Sequence, residues 1–271
     1  MNTNVPVGIF DSGVGGLTVA REIIRQLPDE RFVYFGDTAR LPYGTKSKST
    51  IVKYSNQVIR FLKTQKVKAI VIACNSASAY ALEEVEKEID IPIIGVIKAG
   101  AIMSTQATKN GRIGIIGTEA TVNTGVYSAL IKAEHPEFEV FSKACPLLVS
   151  LVEEGWLQDS VTYEIASRYL KELKEKQIDT LILGCTHYPL IRKVIGQIMG
   201  PEVRLINPAY ETAVELKQLL ESQGLAYDPR KPSKEPKYEY YVSDAETKFS
   251  EFAATILPDA HTTKQISIEE Y

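Results

Sequence analysis

Short apolar runs alternate along this chain with longer segments whose apolar residues recur at helical spacing, and that alternation limits the folds open to it. The runs fall at residues 5–10, 32–35, 69–73, 92–96, 112–116, 139–141, 180–183, 203–206 and 238–242. The clearest helical patterns are at 17–27, 50–62, 77–89, 160–173 and 212–220. Strand and helix repeated this often predict mostly parallel sheets covered by helices. Several runs, such as Ile70-Val71-Ile72 and Leu181-Ile182-Leu183, are apolar without alternation. Strands buried on both faces read that way.

The pattern also repeats. Val7-Gly8-Ile9-Phe10-Asp11-Ser12 resembles Ile113-Gly114-Ile115-Ile116-Gly117-Thr118. Residues 67–75, ending in Ala73-Cys74-Asn75, resemble 178–186, ending in Gly184-Cys185-Thr186. Gly8 and Cys74 are 66 residues apart, Gly114 and Cys185 71. The expected fold is therefore α/β, with two pseudo-symmetric domains, each a mostly parallel sheet flanked by helices. Ligands of open α/β sheets bind beyond the carboxyl ends of the strands, so one cysteine is expected on each wall of an inter-domain cleft. The expected boundaries are 1–97 plus 208–271 for the Cys74 domain and 98–207 for the Cys185 domain. The hinges lie near residues 96–98 and 206–208, and the segment after Pro236 returns to the first domain.

Composition narrows the function. The 271 residues carry 31 basic and 34 acidic side chains, a net charge of −3, and no basic patch stands out. Residues 230–237 read as a solvated loop, so nucleic acid is not expected as a partner. No apolar stretch approaches the roughly 20 residues that cross a bilayer, and residues 1–6 lack a basic start, so a cytoplasmic location without membrane partners is expected. Three widely spaced cysteines argue against a disulfide framework.

Cys74 ends a strand and precedes Asn75 and Ser76, good helix-starting residues; a helix start favours a thiolate. Cys185 has the same layout, with Pro189 suited to a first helical turn and His187 placed to take or hold a proton. Cys145, among apolar residues, reads as structural, and His135 and His261 as surface. No Cys-x-x-Cys pair suggests zinc. The segment Asp11-Ser12-Gly13-Val14-Gly15-Gly16 can bind an anion through backbone N–H groups at a helix start. It lacks the spacing of a dinucleotide fingerprint and the lysine of a phosphate loop. Tyr43 either contacts a ligand or caps the pocket. Glu153 is a carboxylate in an apolar stretch. Two facing thiols suit inversion at carbon, one removing a proton and the other delivering one to the opposite face, with no cofactor implied. The same inversion on another acid is the nearest alternative, followed by an acidic-amino-acid binding protein and a cysteine hydrolase built on Cys185 and His187. The last two give the second cysteine no task.

These segments carry a resemblance. Phe10 to Leu17, Gly36-Asp37 with Arg40 to Gly44, Ala73-Cys74-Asn75-Ser76-Ala77, Ile116-Gly117-Thr118, Cys145-Pro146 with Leu151-Val152-Glu153, and Leu183 to Pro189 resemble the cofactor-independent aspartate/glutamate racemase family. The resemblance spans nearly the whole chain, in order. It implies interconversion of L- and D-glutamate for peptidoglycan synthesis, no cofactor, and a homodimer. It implies Cys74 and Cys185 as the two bases, with Asp11 near the first and Glu153 and His187 near the second. Implied substrate contacts are Asp11, Ser12, Tyr43, Gly44, Asn75, Ser76, Thr118, Thr121, Thr186 and His187. His187 stands where aspartate-selective relatives carry an acidic residue, which favours glutamate. Ser76 replaces a usual threonine, Lys98-Ala99 a common Glu-Pro, and Asn207 a frequent acidic residue.

Overall fold

The computed structural model describes residues 3–257 and 263–271, with Lys248 described by its backbone alone. The expectation for His261 lies outside these residues. The strands are β1 (Val7–Asp11), β2 (Phe32–Gly36), β3 (Ile70–Ile72), β4 (Ile93–Gly95), β5 (Arg112–Gly117), β6 (Glu139–Ala144), β7 (Thr180–Gly184), β8 (Arg204–Ile206), β9 (Tyr238–Val242) and β10 (Thr263–Gln265). The helices are α1 (Leu17–Gln26), α2 (Lys48–Thr64), α3 (Asn75–Tyr80), α4 (Leu82–Glu86), α5 (Val96–Ala107), α6 (Glu119–Thr124), α7 (Val126–Glu134), α8 (Leu147–Glu153), α9 (Ser160–Glu175), α10 (Arg192–Met199), α11 (Pro208–Ser222) and α12 (Glu246–Ile256).

Two sheets form, in the orders β10-β9-β2-β1-β3-β4 and β6-β5-β7-β8. Every pairing among the described residues is parallel. The order β2-β1-β3-β4 is repeated as β6-β5-β7-β8, so β1 corresponds to β5 and β3 to β7. Gly8 pairs with Ile70 and Gly114 with Leu181, matching the repeat read from sequence. As expected, the chain after Pro236 rejoins the first sheet, with β9 on β2.

Alternating side chains of the first sheet pack in opposite directions. Val7, Ile9 and Val71 meet α1, α11 and α12, while Phe10, Ile70 and Ile72 meet α2 and α3. In the second sheet Leu181 and Leu183 meet α8, α9 and α10, while Ile113, Ile115 and Ile182 meet α5 and α7. Burial on both faces leaves central strands no polar alternation.

Residues 77–89, read as one helix, are two. The helix breaks at Ala81, whose φ of −109° interrupts the ladder between α3 and α4. The helix α5 gave no periodic signal because Val96, Ile97, Ala99, Gly100 and Ala101 are buried around it. It packs on α11, which begins at Pro208. Asn207 caps α11, accepting a hydrogen bond from Ala209 N–H. Residues 230–237 are mostly exposed, as expected.

The polar floor of the first sheet is tied at one point. Lys68 Nζ donates to Glu30 Oε2 at 2.5 Å and to the Thr3 carbonyl at 2.6 Å. Glu30 Oε1 accepts from Tyr227 N–H at 2.7 Å, and Arg31 Nε donates to the Pro236 carbonyl at 3.0 Å. Replacing Lys68 by Met strands the Glu30 carboxylate, which is only 5% exposed. Removing one partner of a buried pair costs about 3–5 kcal/mol. Denaturant unfolding of Lys68→Met measures this, and a loss under about 1 kcal/mol would contradict a buried tie.

Candidate active site

Cys74 follows β3 after one intervening residue, Ala73, and Cys185 directly follows β7, so corresponding strand ends carry the two thiols. Each is 5% exposed. Both open onto one cavity, whose volume of about 20 Å³ has room for little more than one water. Ser12, Tyr43, Gly44, Asn75, Ser76, Thr118, Glu153, Thr186 and His187 line it with them, along with Leu41, Pro42 and Val149. Leu41 and Val149 carry no chemical signal in sequence. Val149 stands one helical turn before Glu153 on α8. Asp11 and Thr121 do not line the cavity. Asp11 stands behind it, and Thr121 supports Thr118 through a 3.1 Å hydroxyl contact.

The anion at the start of α1 is the protein's own. Gly13 N–H donates to Asp11 Oδ2 at 3.1 Å, and Gly16 N–H also serves this carboxylate. Two N–H groups of the loop read as able to bind an anion are therefore engaged by Asp11. Its glycines permit close packing: a β-carbon on Gly15 would strike Thr186 and His187, and one on Gly16 would strike Asp11 and Tyr34. Thr186 Oγ1 donates to Asp11 Oδ1 at 3.4 Å, joining the loop after β7 to the end of β1. Burial raises the Asp11 carboxyl above its usual range, against the opposing charge of His187 and the backbone donors.

Cys74 is itself the residue before α3, so Asn75 and Ser76 lie inside the helix. The expected gain for the thiolate is outweighed. Burial, then the Asp11 charge, pushes the thiol up to about 12, although the Ala77 N–H and the Ser12 hydroxyl favour the anion. Cys145 is fully buried at the end of β6 and lies outside the cavity lining, as its structural reading requires. His135 stacks on Phe138 at the surface.

The second thiol has different neighbours. His187 Nδ1 lies 3.7 Å from Cys185 Sγ, and Nε2 lies 3.0 Å from Glu153 Oε1. Burial opposes a charge on His187, but hydrogen bonds to Cys185 and Glu153 outweigh it and raise the ring to about 10. Thiol, imidazole and carboxylate form one chain.

A buried carboxylate holds the loop over the cavity. Asp37 accepts from the Tyr43 hydroxyl, from Arg40 Nε at 2.7 Å and from Ser243 Oγ at 2.8 Å. The Tyr43 hydroxyl is thus engaged, and its ring serves as wall. A β-carbon on Gly44 would come within 2.5 Å of Thr118 Cβ, so this loop touches the start of α6 directly. Ser76 and Thr118 hydroxyls meet at 2.8 Å, and Thr18 Oγ1 donates to the Thr186 carbonyl at 3.1 Å. Among the described residues no group of three or more His, Cys, Asp or Glu side chains is placed to hold a metal, and no helix is long and apolar enough to cross a membrane.

Residues 8–216 match the family model described as Asp/Glu/Hydantoin racemase. The glutamate racemase of Geobacter metallireducens is 48% identical over 90% of this chain and 89% of its own. That of Chlorobaculum tepidum is 47% identical over 96% of both. Among solved structures, glutamate racemase isoform RacE1 from Bacillus anthracis superposes with a TM-score of 0.93 at 37% identity, over 98% of each chain. Glutamate racemase from Francisella tularensis, solved with D-glutamate, gives 0.91 at 39% identity, over 99% of this chain and 100% of that one.

The His187 pairing predicts a pH signature. Its folded value lies above the unfolded one, so its stabilisation is complete below about pH 6.5 and is lost as pH rises through about 10. Unfolding free energy should therefore decline across that window, and less steeply in Glu153→Gln. Urea titrations at stepped pH test this. Equal slopes in both proteins would contradict a charged His187–Glu153 pair.

Proposed function

The chain belongs to the Asp/Glu/hydantoin racemase family, and from that premise we propose that it interconverts L- and D-glutamate through Cys74 and Cys185. The observation that carries the reading is the placement of two thiols on one cavity at equivalent strand ends.

One cysteine, as thiolate, takes the α-proton from one face of the substrate. The C–H electron pair passes to the α-carbon and its carboxylate. The other cysteine, as thiol, returns a proton to the opposite face and is left as the thiolate. Reversal exchanges the roles, so the pair titrates as a coupled system. Donors around the cavity, including Asn75, Ser76 and Thr186, hold the carboxylates and stabilise the carbanion. The chain from Cys185 through His187 to Glu153 holds a proton beside one thiol. Asp11 acts from behind the other. Glutamate is larger than the cavity, so the walls must part for entry and close to exclude water.

The wider reading follows the family. The domains are 1–97 plus 208–271 and 98–207, with hinges where α5 and α11 begin. The protein works without a cofactor in the cytoplasm, as a homodimer, supplying D-glutamate for peptidoglycan. Glutamate is preferred to aspartate on the relatives' names, the D-glutamate bound in the Francisella tularensis protein, and His187 in place of an acidic residue.

A coupled assay for D-glutamate formed from L-glutamate, with no cofactor added, tests this. Wild type should turn over. Cys74→Ser and Cys185→Ser should each lose roughly 10²–10⁴-fold in kcat. L-aspartate should react roughly 10–200-fold less efficiently, the scale of one methylene. Activity in either cysteine variant near that of wild type would overturn the mechanism.

A further inference from the structure

One buried side chain reaches from the loop of one cysteine to that of the other. Tyr127, on α7, is 2% exposed. Its ring passes Gly184, the last residue of β7 before Cys185, and Gly100 of α5. A β-carbon on Gly184 would lie 3.4 Å from Tyr127 Cε2, and one on Gly100 3.2 Å from both Cε1 and the hydroxyl. Those glycines are what give the ring room. At its far end the hydroxyl donates to Asn75 Oδ1 at 2.8 Å. Asn75 immediately follows Cys74, lines the cavity and is 4% exposed.

A carboxamide presents an acceptor on one side and donors on the other. The side turned to the cavity decides whether Asn75 meets a carboxylate or an ammonium group. Among the described residues the Tyr127 hydroxyl has no other acceptor. If the Asn75 amide turned over, the Tyr127 oxygen could accept from its N–H, but the buried phenolic proton would then be left without an acceptor, which is costly where water cannot replace it. The hydrogen bond therefore fixes Oδ1 toward Tyr127 and leaves Nδ2 for the cavity.

We propose that Tyr127 is a positioning residue: it locks the Asn75 amide with its N–H toward the cavity, so that Asn75 binds a carboxylate of the substrate in both enantiomers. The identity of that anion rests on the racemase reading. The orientation rests on the geometry. Tyr127 touches no reacting atom and acts through Asn75 alone.

The test is a double-mutant cycle of Tyr127→Phe, Asn75→Ala and the pair. It is read as KM and kcat for each glutamate enantiomer, with calorimetric Kd for L-glutamate measured alongside. Tyr127→Phe keeps the ring between the glycines and removes only the hydroxyl. It should raise KM and Kd about tenfold for both enantiomers, with little change in kcat, as expected when an interaction common to ground and transition states is weakened. The double variant should bind no more weakly than Asn75→Ala. Unchanged KM and Kd in Tyr127→Phe, or losses that multiply in the double variant, would overturn the proposal. A merely structural role would lower Tm and kcat while leaving Kd in place. Wild type that binds glutamate without turning it over would defeat the racemase reading, while the Kd cycle would still judge Tyr127.

Discussion

The carboxylate of Asp11, fully buried at the end of β1, is the group around which the site is arranged. Burying a charge requires hydrogen bonds in return, and these come from both sides. Gly13 and Gly16 supply backbone donors from the loop that starts α1, and Thr186 supplies a hydroxyl from the loop after β7. The requirement spreads outward. Position 16 must lack a side chain because Asp11 and Tyr34 fill its space, and position 15 because Thr186 and His187 fill its own. The same charge adds to burial in pushing the Cys74 thiol up, and a charge on His187 in turn opposes the rise that burial gives Asp11. One carboxylate thus bears on the local backbone, the contact between the two loops and the electrostatics of Cys74.

Around that centre a symmetric frame carries asymmetric chemistry. The strand orders match and the cysteines sit at equivalent ends. Yet Cys74 faces a carboxylate and the Ser12 hydroxyl, while Cys185 faces an imidazole backed by Glu153. Under the racemase reading this difference has a use. The two faces of an α-carbon are related by reflection, but the amino group and side chain prevent one rigid protein from presenting identical surroundings to both. Each thiol needs its own device for holding or releasing a proton.

Much of the frame was legible from sequence, for a physical reason. Strands buried on both faces cannot hide: Ile70-Val71-Ile72 and Leu181-Ile182-Leu183 admit few other readings. The repeat was visible because both halves face the same packing problem, and the cysteines marked it. What escaped was determined at long range. The short strand β10 pairs with β9 through a register its own residues do not announce. The break at Ala81 comes without glycine or proline. Among the site residues, Val149 and Leu41 are ordinary apolar side chains until the fold brings them to the cavity. Tyr127 lies 52 positions from Asn75, and no local pattern links them. The glycines after Asp11 were read as room for a ligand, whereas protein groups occupy that room. Sequence shows that close approach is allowed, and the fold decides what approaches.

The central claim is that two thiols act on opposite faces of one carbon. Exchange of the α-proton in D₂O tests it most directly, starting from pure L-glutamate and pure D-glutamate, with wild type, Cys74→Ala and Cys185→Ala. The account predicts that wild type racemises and exchanges both enantiomers. It predicts that neither variant racemises, and that any exchange remaining in a variant is confined to one enantiomer, the opposite one for each cysteine. Racemisation by either variant, or wild type that binds glutamate and exchanges no proton, would contradict it.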